Sequence, residues 1–135
     1  MREFKLHMIA AVGKNGAIGL EGKLPWHKPD DLRIFKTLTT NALIIVGKRT
    51  ADTLPNLPGR TIIKWSPKYG SPELLLENIM ENEDVYEAWL CGGAYVYEKF
   101  AHLVNGNRIV NYIDYDGPFD TEFPFEAYGL VKSVS

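Results

Sequence analysis

Hydrophobic residues along the chain fall into short runs that are separated by glycine, proline and charged residues. The first run, residues 6–12, is apolar except for His7, which predicts a central strand covered on both faces. Similar runs predict further strands at residues 42–46, 61–65, 86–91, 108–112 and 128–134.

Helical periodicity occupies the stretches between these strands. Pro29 suits the first position of a helix that runs to Thr39, and its apolar stripe consists of Leu32, Phe35 and Leu38. Further helices are predicted after Gly47, after the capping residue Ser71 and after Gly92-Gly93. This alternation predicts an α/β fold, in which a mainly parallel sheet carries helices on both faces and residues 1–135 form one domain.

Residues 13–28 form a glycine-rich segment, GKNGAIGLEGKLPWHK, that ends in Pro25-Trp26 and two further polar residues. Glycines permit unusual backbone angles, and an aromatic residue in such a context is available to a ligand. We therefore predict a functional loop here.

Composition restricts the class of partner. A chain of 135 residues with 45% hydrophobic residues can form a proper core, and a formal charge of -2 gives no positive field for nucleic acid. Cys91 is the only cysteine, which excludes an intrachain disulfide and favours the cytosol. No signal peptide or membrane span is recognisable, and the histidines lack metal-ligand spacing. A small-molecule enzyme in the cytoplasm is the expectation.

Asp31 is the acid with the most informative position. It shares helical spacing with Phe35 and Leu38, whereas Asp30 points away from that apolar face. A carboxylate on an apolar face is costly unless hydrogen bonds reach it, so a ligand with paired N–H donors would explain Asp31. The alternative is that both acids only complement the helix dipole.

Five segments then occur in a characteristic order: IAAVGKNGAIGLEGKLPWHKPDDLRIFK, IIVGKRT, LPGR, CGGAYVYEKF and DTEFP. Together they resemble dihydrofolate reductase over residues 8–124, and the LPW and PxDLxxFK block is the most specific. The resemblance implies the fold of that family and NADPH-dependent reduction of dihydrofolate to tetrahydrofolate. Hydride would pass to carbon 6 of the pterin while nitrogen 5 gains a proton, and antifolates would be inhibitors.

The resemblance also assigns roles around the substrate. Asp31 would bind the pterin, Trp26 would hold a water near it, and Leu24 would lie in the loop that closes over the site. Arg60 would pair with the substrate's glutamate carboxylate. The implied substrate residues are Ile9, Ala10, Asp31, Leu32, Phe35, Leu54, Arg60, Cys91 and Tyr97. The alternatives are that the apolar members only pack the core and that Arg60 is a solvated turn charge.

No GxGxxG follows the first strand, so two other helix starts are the candidates for the cofactor phosphates. The resemblance places Lys48, Arg49 and Thr50 on the phosphates and Ser66, with Lys68, on the 2′-phosphate, which favours NADPH over NADH. The implied cofactor residues are Ala11, Ile18, Gly19, Gly47, Lys48, Arg49, Thr50, Trp65, Ser66, Cys91, Gly92, Gly93, Ala94, Tyr95 and Val96. The alternative for Lys48 and Arg49 is a solvated helix face.

Several positions depart from the family's pattern. Asn111 replaces the threonine that usually bridges Asp31, the substrate and a water in the catalytic site, and its amide could still form that bridge. Tyr95 replaces a basic residue that often contacts the cofactor phosphates, and Ala94 replaces a glycine. The chain also ends at Ser135, about one strand early for the family, so we expect an exposed sheet edge or rearranged closing strands, with either reduced stability of a monomer or pairing between chains.

Two other functions stay open on the sequence. The same fold could reduce another flat heterocycle, such as a ribityl-aminopyrimidine, although Asp31 and Arg60 match both ends of folate. Alternatively, the departures at Asn111 and Tyr95 fit a module that binds folate or a nucleotide without turnover.

Overall fold

The computed structural model describes residues 3–21, 24–26, 39, 42–53, 59, 61–82 and 84–131. Its centre is a five-stranded parallel sheet of order β4-β3-β5-β1-β6. A second pair, β2 with β7, is antiparallel. The strands are β1 (Lys5–Val12), β2 (Ala17–Gly19), β3 (Leu43–Gly47), β4 (Thr61–Trp65), β5 (Glu87–Leu90), β6 (Arg108–Tyr112) and β7 (Thr121–Glu122). The predicted mainly parallel sheet is confirmed.

Strand β1 lies between β5 and β6, so its apolar residues are buried on both faces. Because side chains alternate along a strand, Met8, Ala10 and Val12 point into the main hydrophobic core, together with Leu90. Ile9 lies on the opposite face and is also buried. This two-sided burial explains the nearly unbroken apolar run in the sequence.

The described helices are α1 (Lys48–Thr53), α2 (Pro72–Met80) and α3 (Ala94–Phe100). The predicted cap of α2 is confirmed, because the Ser71 hydroxyl accepts a hydrogen bond from the Leu74 N–H at 3.1 Å. The helix predicted after Gly93 is α-helical only to Phe100 and continues as a 3-10 turn over Ala101–Leu103. Among the described residues, no helix is long and apolar enough to cross a membrane.

The strand predicted at residues 128–134 is wrong over its described part. Phe125–Tyr128 forms a 3-10 helix, and Gly129 ends it with a left-handed backbone at φ 67°. Phe125 and Tyr128 are both buried, which is the spacing of a helical turn and not of a strand. The Leu130 N–H closes the turn by donating to the Phe125 carbonyl at 3.0 Å.

The antiparallel pair β2–β7 was not predicted from the sequence. Its strands are only 3 and 2 residues long, too short for a period-2 pattern to register. They are held by one local contact, in which the Gly13 N–H donates to the Ala17 carbonyl, and by a contact with a residue far along the chain, in which the Phe123 N–H donates to the Gly16 carbonyl at 2.9 Å. The glycine-rich segment is therefore partly ordered as a strand.

Candidate functional site

The carboxyl ends of β3, β4 and β5 meet at one edge of the sheet. The Gly47 N–H donates to the Gly92 carbonyl at 2.8 Å, and the Cys91 N–H donates to the Ile45 carbonyl at 3.0 Å. Gly47 is also in register with Trp65 at the end of β4. We call this group of strand ends and the residues that follow them the carboxyl edge. Ligands of parallel sheets bind at such an edge.

Helices α1 and α3 start at the carboxyl edge and pack closely against each other. A Cβ on Gly47 would lie 3.1 Å from Val96, and one on Gly93 would lie 3.0 Å from the Thr50 hydroxyl oxygen. Glycine at these two positions therefore allows the backbone to pack closely against Val96 and Thr50. Gly92 and Gly93 are joined by a cis peptide bond. The exposed Lys48 and Arg49 and the half-buried Ala94 lie in the first turns of these helices.

Two buried polar atoms follow β4 at this edge. The Trp65 indole nitrogen and the Ser66 hydroxyl oxygen have no hydrogen-bond partner in the described part of the chain. The Trp65 ring is 3% exposed and stacks on Tyr95, with ring centroids 6.1 Å apart. A buried donor without an acceptor is costly. Both atoms therefore fit a ligand that carries acceptor oxygens, as a dinucleotide phosphate does.

The β1 residues that were predicted to line the substrate lie on opposite faces of the sheet. Ile9 and Ala11 share one face with Asn111, because Ala11 is in register with Asn111 on β6. Ala10 instead points into the main core on the opposite face. The side chains of Ile9 and Ala10 therefore cannot both line one pocket wall, although both were predicted to do so.

The buried Tyr97 hydroxyl contacts the backbone of Ile9, and the Cys91 thiol lies close to that hydroxyl. The Tyr97 hydroxyl donates to the Ile9 carbonyl at 2.8 Å, and the Tyr128 hydroxyl donates to the Tyr97 carbonyl at 2.6 Å. Burial raises the pKa of Tyr97 and of Cys91 well above their ordinary values. Both groups therefore stay neutral near pH 7, and neither has the acidity of a general acid.

Trp26 packs where the glycine-rich segment meets the end of β6. Its ring lies 5.6 Å from that of Tyr115 and within 3.2 Å of the position that a Cβ on Gly13 would occupy. Trp26 is buried, and its indole nitrogen has no hydrogen-bond partner among the described residues. Leu24, in contrast, is 49% exposed.

Ile18 and Gly19 lie in β2 and are attached to a loop that sequence reasoning missed. Asp120 donates its N–H to the Gly19 carbonyl at 2.9 Å, and its carboxylate accepts from the Glu21 N–H at 2.9 Å. The hydrogen bond from the Glu21 N–H, followed by one from the Thr121 hydroxyl, lowers the pKa of Asp120. Asp120 opens the DTEFP segment, but its contact with the Glu21 N–H joins residues that are close only in space.

Several predicted site residues lie outside the described residues. They are Asp31, Leu32, Phe35, Leu54 and Arg60. The acid and guanidinium that were predicted to hold the two ends of the substrate therefore stay predictions. The residues that the structure does bring together are those at the carboxyl edge, where β3, β4 and β5 end.

Comparison with known proteins gives one consistent answer. The family model described as dihydrofolate reductase matches residues 5–130. A dihydrofolate reductase type 9 of Escherichia coli is 30% identical over 96% of this chain and 82% of its own length. The dihydrofolate reductase of Neisseria gonorrhoeae is 32% identical over 89% of this chain and 79% of its own length.

A solved structure agrees with these sequence matches. The dihydrofolate reductase from Enterococcus faecalis, complexed with NADP(H) and the compound RAB-propyl, superimposes with a TM-score of 0.69. It is 30% identical in sequence, and the match covers 91% of this chain and 79% of that chain. At this identity the likeness extends beyond the general α/β architecture.

Proposed function

This chain belongs to the dihydrofolate reductase family, whose members reduce dihydrofolate to tetrahydrofolate with NADPH, and we propose that it performs this reaction at the carboxyl edge. We place the reaction at this edge because the ends of β3, β4 and β5 meet there, with glycines at the ends of β3 and β5 and unpaired buried donors at the end of β4. The relative from Enterococcus faecalis was solved with NADP(H), which supports the same cofactor here.

NADPH supplies the hydride when it is bound, and the residues of the carboxyl edge fit it. Gly47 and Gly93 allow the end of β3 and the starts of α1 and α3 to pack closely, because a Cβ at either position would crowd Val96 or Thr50. We propose that the pyrophosphate lies beside these close-packed segments. Lys48 and Arg49 offer positive charge from the exposed side of α1. The unpaired Ser66 hydroxyl would donate to the 2′-phosphate. We assign these roles from position and chemistry.

The substrate residues follow from the sequence pattern and from the family. Asp31 would accept paired hydrogen bonds from the pterin, and Leu32, Phe35 and Leu54 would contact its rings and the benzoyl group. Arg60 would bind the glutamate carboxylate through a bidentate contact. Ile9 supports this arrangement, because it is the residue of the Ile9–Ala10 pair that shares a sheet face with Asn111.

Protonation of the substrate requires a donor other than the buried hydroxyl and thiol groups. Tyr97 is committed to the Ile9 carbonyl, and burial raises the pKa of both Tyr97 and Cys91. We propose instead that water is the immediate proton donor, and that the Trp26 indole N–H and the Asn111 amide help to orient it. The unpaired Trp26 nitrogen supports this role.

Two further proposals concern the whole chain. We propose that residues 1–135 act as one domain, since the strands of the central sheet come from both halves of the described chain. We also propose that the protein acts in the cytosol, where its single cysteine, Cys91, would stay reduced.

A steady-state assay tests the proposed reaction. Absorbance at 340 nm should fall only when protein, NADPH and dihydrofolate are all present. Asp31→Asn should keep the fold and lose about a hundredfold in kcat/KM, because the pterin is no longer held by a charged acceptor. Asp30→Asn removes the same charge one position away and should change kcat/KM less than about twofold.

One result would overturn the reductase assignment for this chain. A folded preparation that binds both ligands but shows no turnover would favour the non-enzymatic binding module, which the substitutions at Asn111 and Tyr95 motivate. Turnover of a different heterocycle in preference to dihydrofolate would favour the related reductase instead.

A further inference from the structure

Three side chains form a connected group between β4 and α3: Trp65 at the end of β4, Tyr95 in the first turn of α3 and Lys99 in its last turn. The rings of Trp65 and Tyr95 are stacked, with 18° between their planes. The Lys99 amino group lies over the Tyr95 ring, 5.3 Å from its centroid. Trp65 is anchored in turn by an edge contact with the fully buried Phe100. Contacts through the Tyr95 and Trp65 rings therefore connect the exposed Lys99 amino group to the hydrophobic core.

Lys99 lies over an aromatic ring, as Lys68 lies over the Tyr69 ring, and not beside an acid as Lys64 and Lys5 do. Lys64 at the same end of the sheet lies 3.8 Å from Asp52, and Lys5 pairs with Glu3. Within the described ranges, Lys99 contacts no carboxylate and instead rests on Tyr95, one helical turn earlier. A cation–π contact at an exposed site is worth about 0.5–1 kcal/mol. It restricts where the amino group lies without neutralising it.

Ser66 brings a second group to the same corner. It follows Trp65 directly, and its hydroxyl oxygen is buried without a partner among the residues described. A hydroxyl donor and an unpaired ammonium on one corner of a sheet are the groups that bind a phosphate monoester. The pyrophosphate residues Lys48 and Arg49 lie on α1, whereas this corner is built from β4 and α3.

We propose that Lys99, positioned by Tyr95, is a cofactor-selectivity residue that contacts the 2′-phosphate of NADPH. This inference rests on the proposed function and extends it to Lys99, a residue of the CGGAYVYEKF segment to which the resemblance assigned no role. Lys99 supplies the positive charge on α3, one helical turn after Tyr95. The preference for NADPH over NADH then depends on an ammonium that is held against a ring.

Isothermal titration with nucleotide fragments tests the proposal without dihydrofolate. Adenosine 2′,5′-bisphosphate carries the 2′-phosphate, and adenosine 5′-monophosphate lacks it. Lys99→Met should weaken binding of the bisphosphate about fivefold, which corresponds to one exposed charge contact, and should leave the monophosphate unchanged. Lys99→Arg should retain most of the affinity. Lys64→Met removes the same charge at the same edge and should stay within about twofold of wild type.

The positioning role of Tyr95 has its own readout. Tyr95→Phe keeps the ring and should preserve bisphosphate affinity, whereas Tyr95→Leu should lower it in the same direction as Lys99→Met. In kinetics, Lys99→Met should raise KM for NADPH and leave both kcat and KM for NADH unchanged.

The outcomes separate this inference from the reaction itself. Equal losses for both nucleotides, or no loss for the bisphosphate, would overturn the selectivity role of Lys99 even in an active reductase. Selective loss in a protein without dihydrofolate turnover would support the role and overturn the proposed reaction instead.

Discussion

The amino end of the parallel sheet and its carboxyl edge differ in how their buried polar atoms are partnered. At the amino end, both ring nitrogens of His7 are hydrogen-bonded. The Asn107 N–H donates to Nδ1 at 2.9 Å. Because Nδ1 accepts, Nε2 carries the proton and donates to the Glu87 carboxylate at 2.9 Å. The Asn105 side chain accepts from the Leu6 N–H at 2.7 Å and also donates to a backbone carbonyl. These polar groups join three neighbouring strands.

The carboxyl edge shows the opposite arrangement. The Trp65 nitrogen and the Ser66 hydroxyl are buried without partners in the described structure. Satisfied polar groups stabilise the fold, whereas unsatisfied ones reduce its stability and are available to a ligand. The difference therefore assigns stability to one end of the sheet and binding to the other, and substitutions at the two ends should have different effects.

The largest expected effect is at the amino end, where Gly106→Ala should lower the free energy of unfolding by about 3 kcal/mol. A Cβ at this position would lie 2.3 Å from the His7 ring, which is buried and cannot move without losing its hydrogen bonds. Urea denaturation measures the loss. Activity per folded molecule should not change.

Gly129→Ala is the matched control for this substitution. Gly129 has a positive φ of 67°, but a Cβ there would meet nothing within 4 Å. Gly129→Ala should therefore lower the free energy of unfolding by only about 1 kcal/mol, which is the cost of a side chain on a left-handed backbone. Equal losses for both variants would contradict the importance of the His7 contacts.

At the carboxyl edge, Ser66→Ala should weaken binding without lowering stability. Removing an unpaired buried hydroxyl should not lower the free energy of unfolding and should raise it by about 1 kcal/mol, because the cost of the unsatisfied group is relieved. Affinity for adenosine 2′,5′-bisphosphate should fall about tenfold, because a donor to a charged phosphate is lost. Urea denaturation and calorimetric titration give the two numbers. A clear loss of stability with unchanged affinity would remove the contrast between the two ends.

The smallest effect concerns Asp120, which attaches the glycine-rich segment beside β7. Because its folded pKa is lowered, the ionised form contributes its contacts above the ordinary value of 3.8, and these are lost only as pH falls through the lower folded value. The Glu21 amide proton should therefore titrate, by NMR, with a midpoint below 3.8.

Asp120→Asn provides the control for this titration. Its amide oxygen can still accept the Glu21 N–H, but it has no charge to lose, so the low-pH shift of that proton should disappear. A wild-type midpoint at or above the ordinary aspartate value would contradict the role of these hydrogen bonds.

Most of the fold could be predicted where local pattern and tertiary environment agree. The boundaries of β4 and β6 coincide with their apolar runs, and Ser71 caps α2 as predicted. The failure at residues 128–134 has a tertiary cause. Tyr128 is turned inward to reach the Tyr97 carbonyl, and Gly129 adopts a left-handed conformation that no strand propensity encodes.

The site was predictable only in part. Family motifs indicated Gly47, Gly92 and Gly93, and the structure brings them together at the carboxyl edge. Side chains alternate along a strand, which places Ile9 and Ala10 on opposite faces of β1. Asp120 and Lys99 could not be identified from local sequence, because their importance depends on neighbours in space, the Glu21 N–H and the Tyr95 ring.

The position of β1 affects how the protein is made. It is the first strand to be synthesised, yet its two neighbours in the sheet are β5 and β6, and the partners His7 and Glu87 are 80 residues apart. A nascent chain therefore carries its most apolar segment unpaired until most of its length has been translated. Such exposure favours aggregation and recruits chaperones, so expression yield should depend more on the rate of synthesis than equilibrium stability alone would suggest.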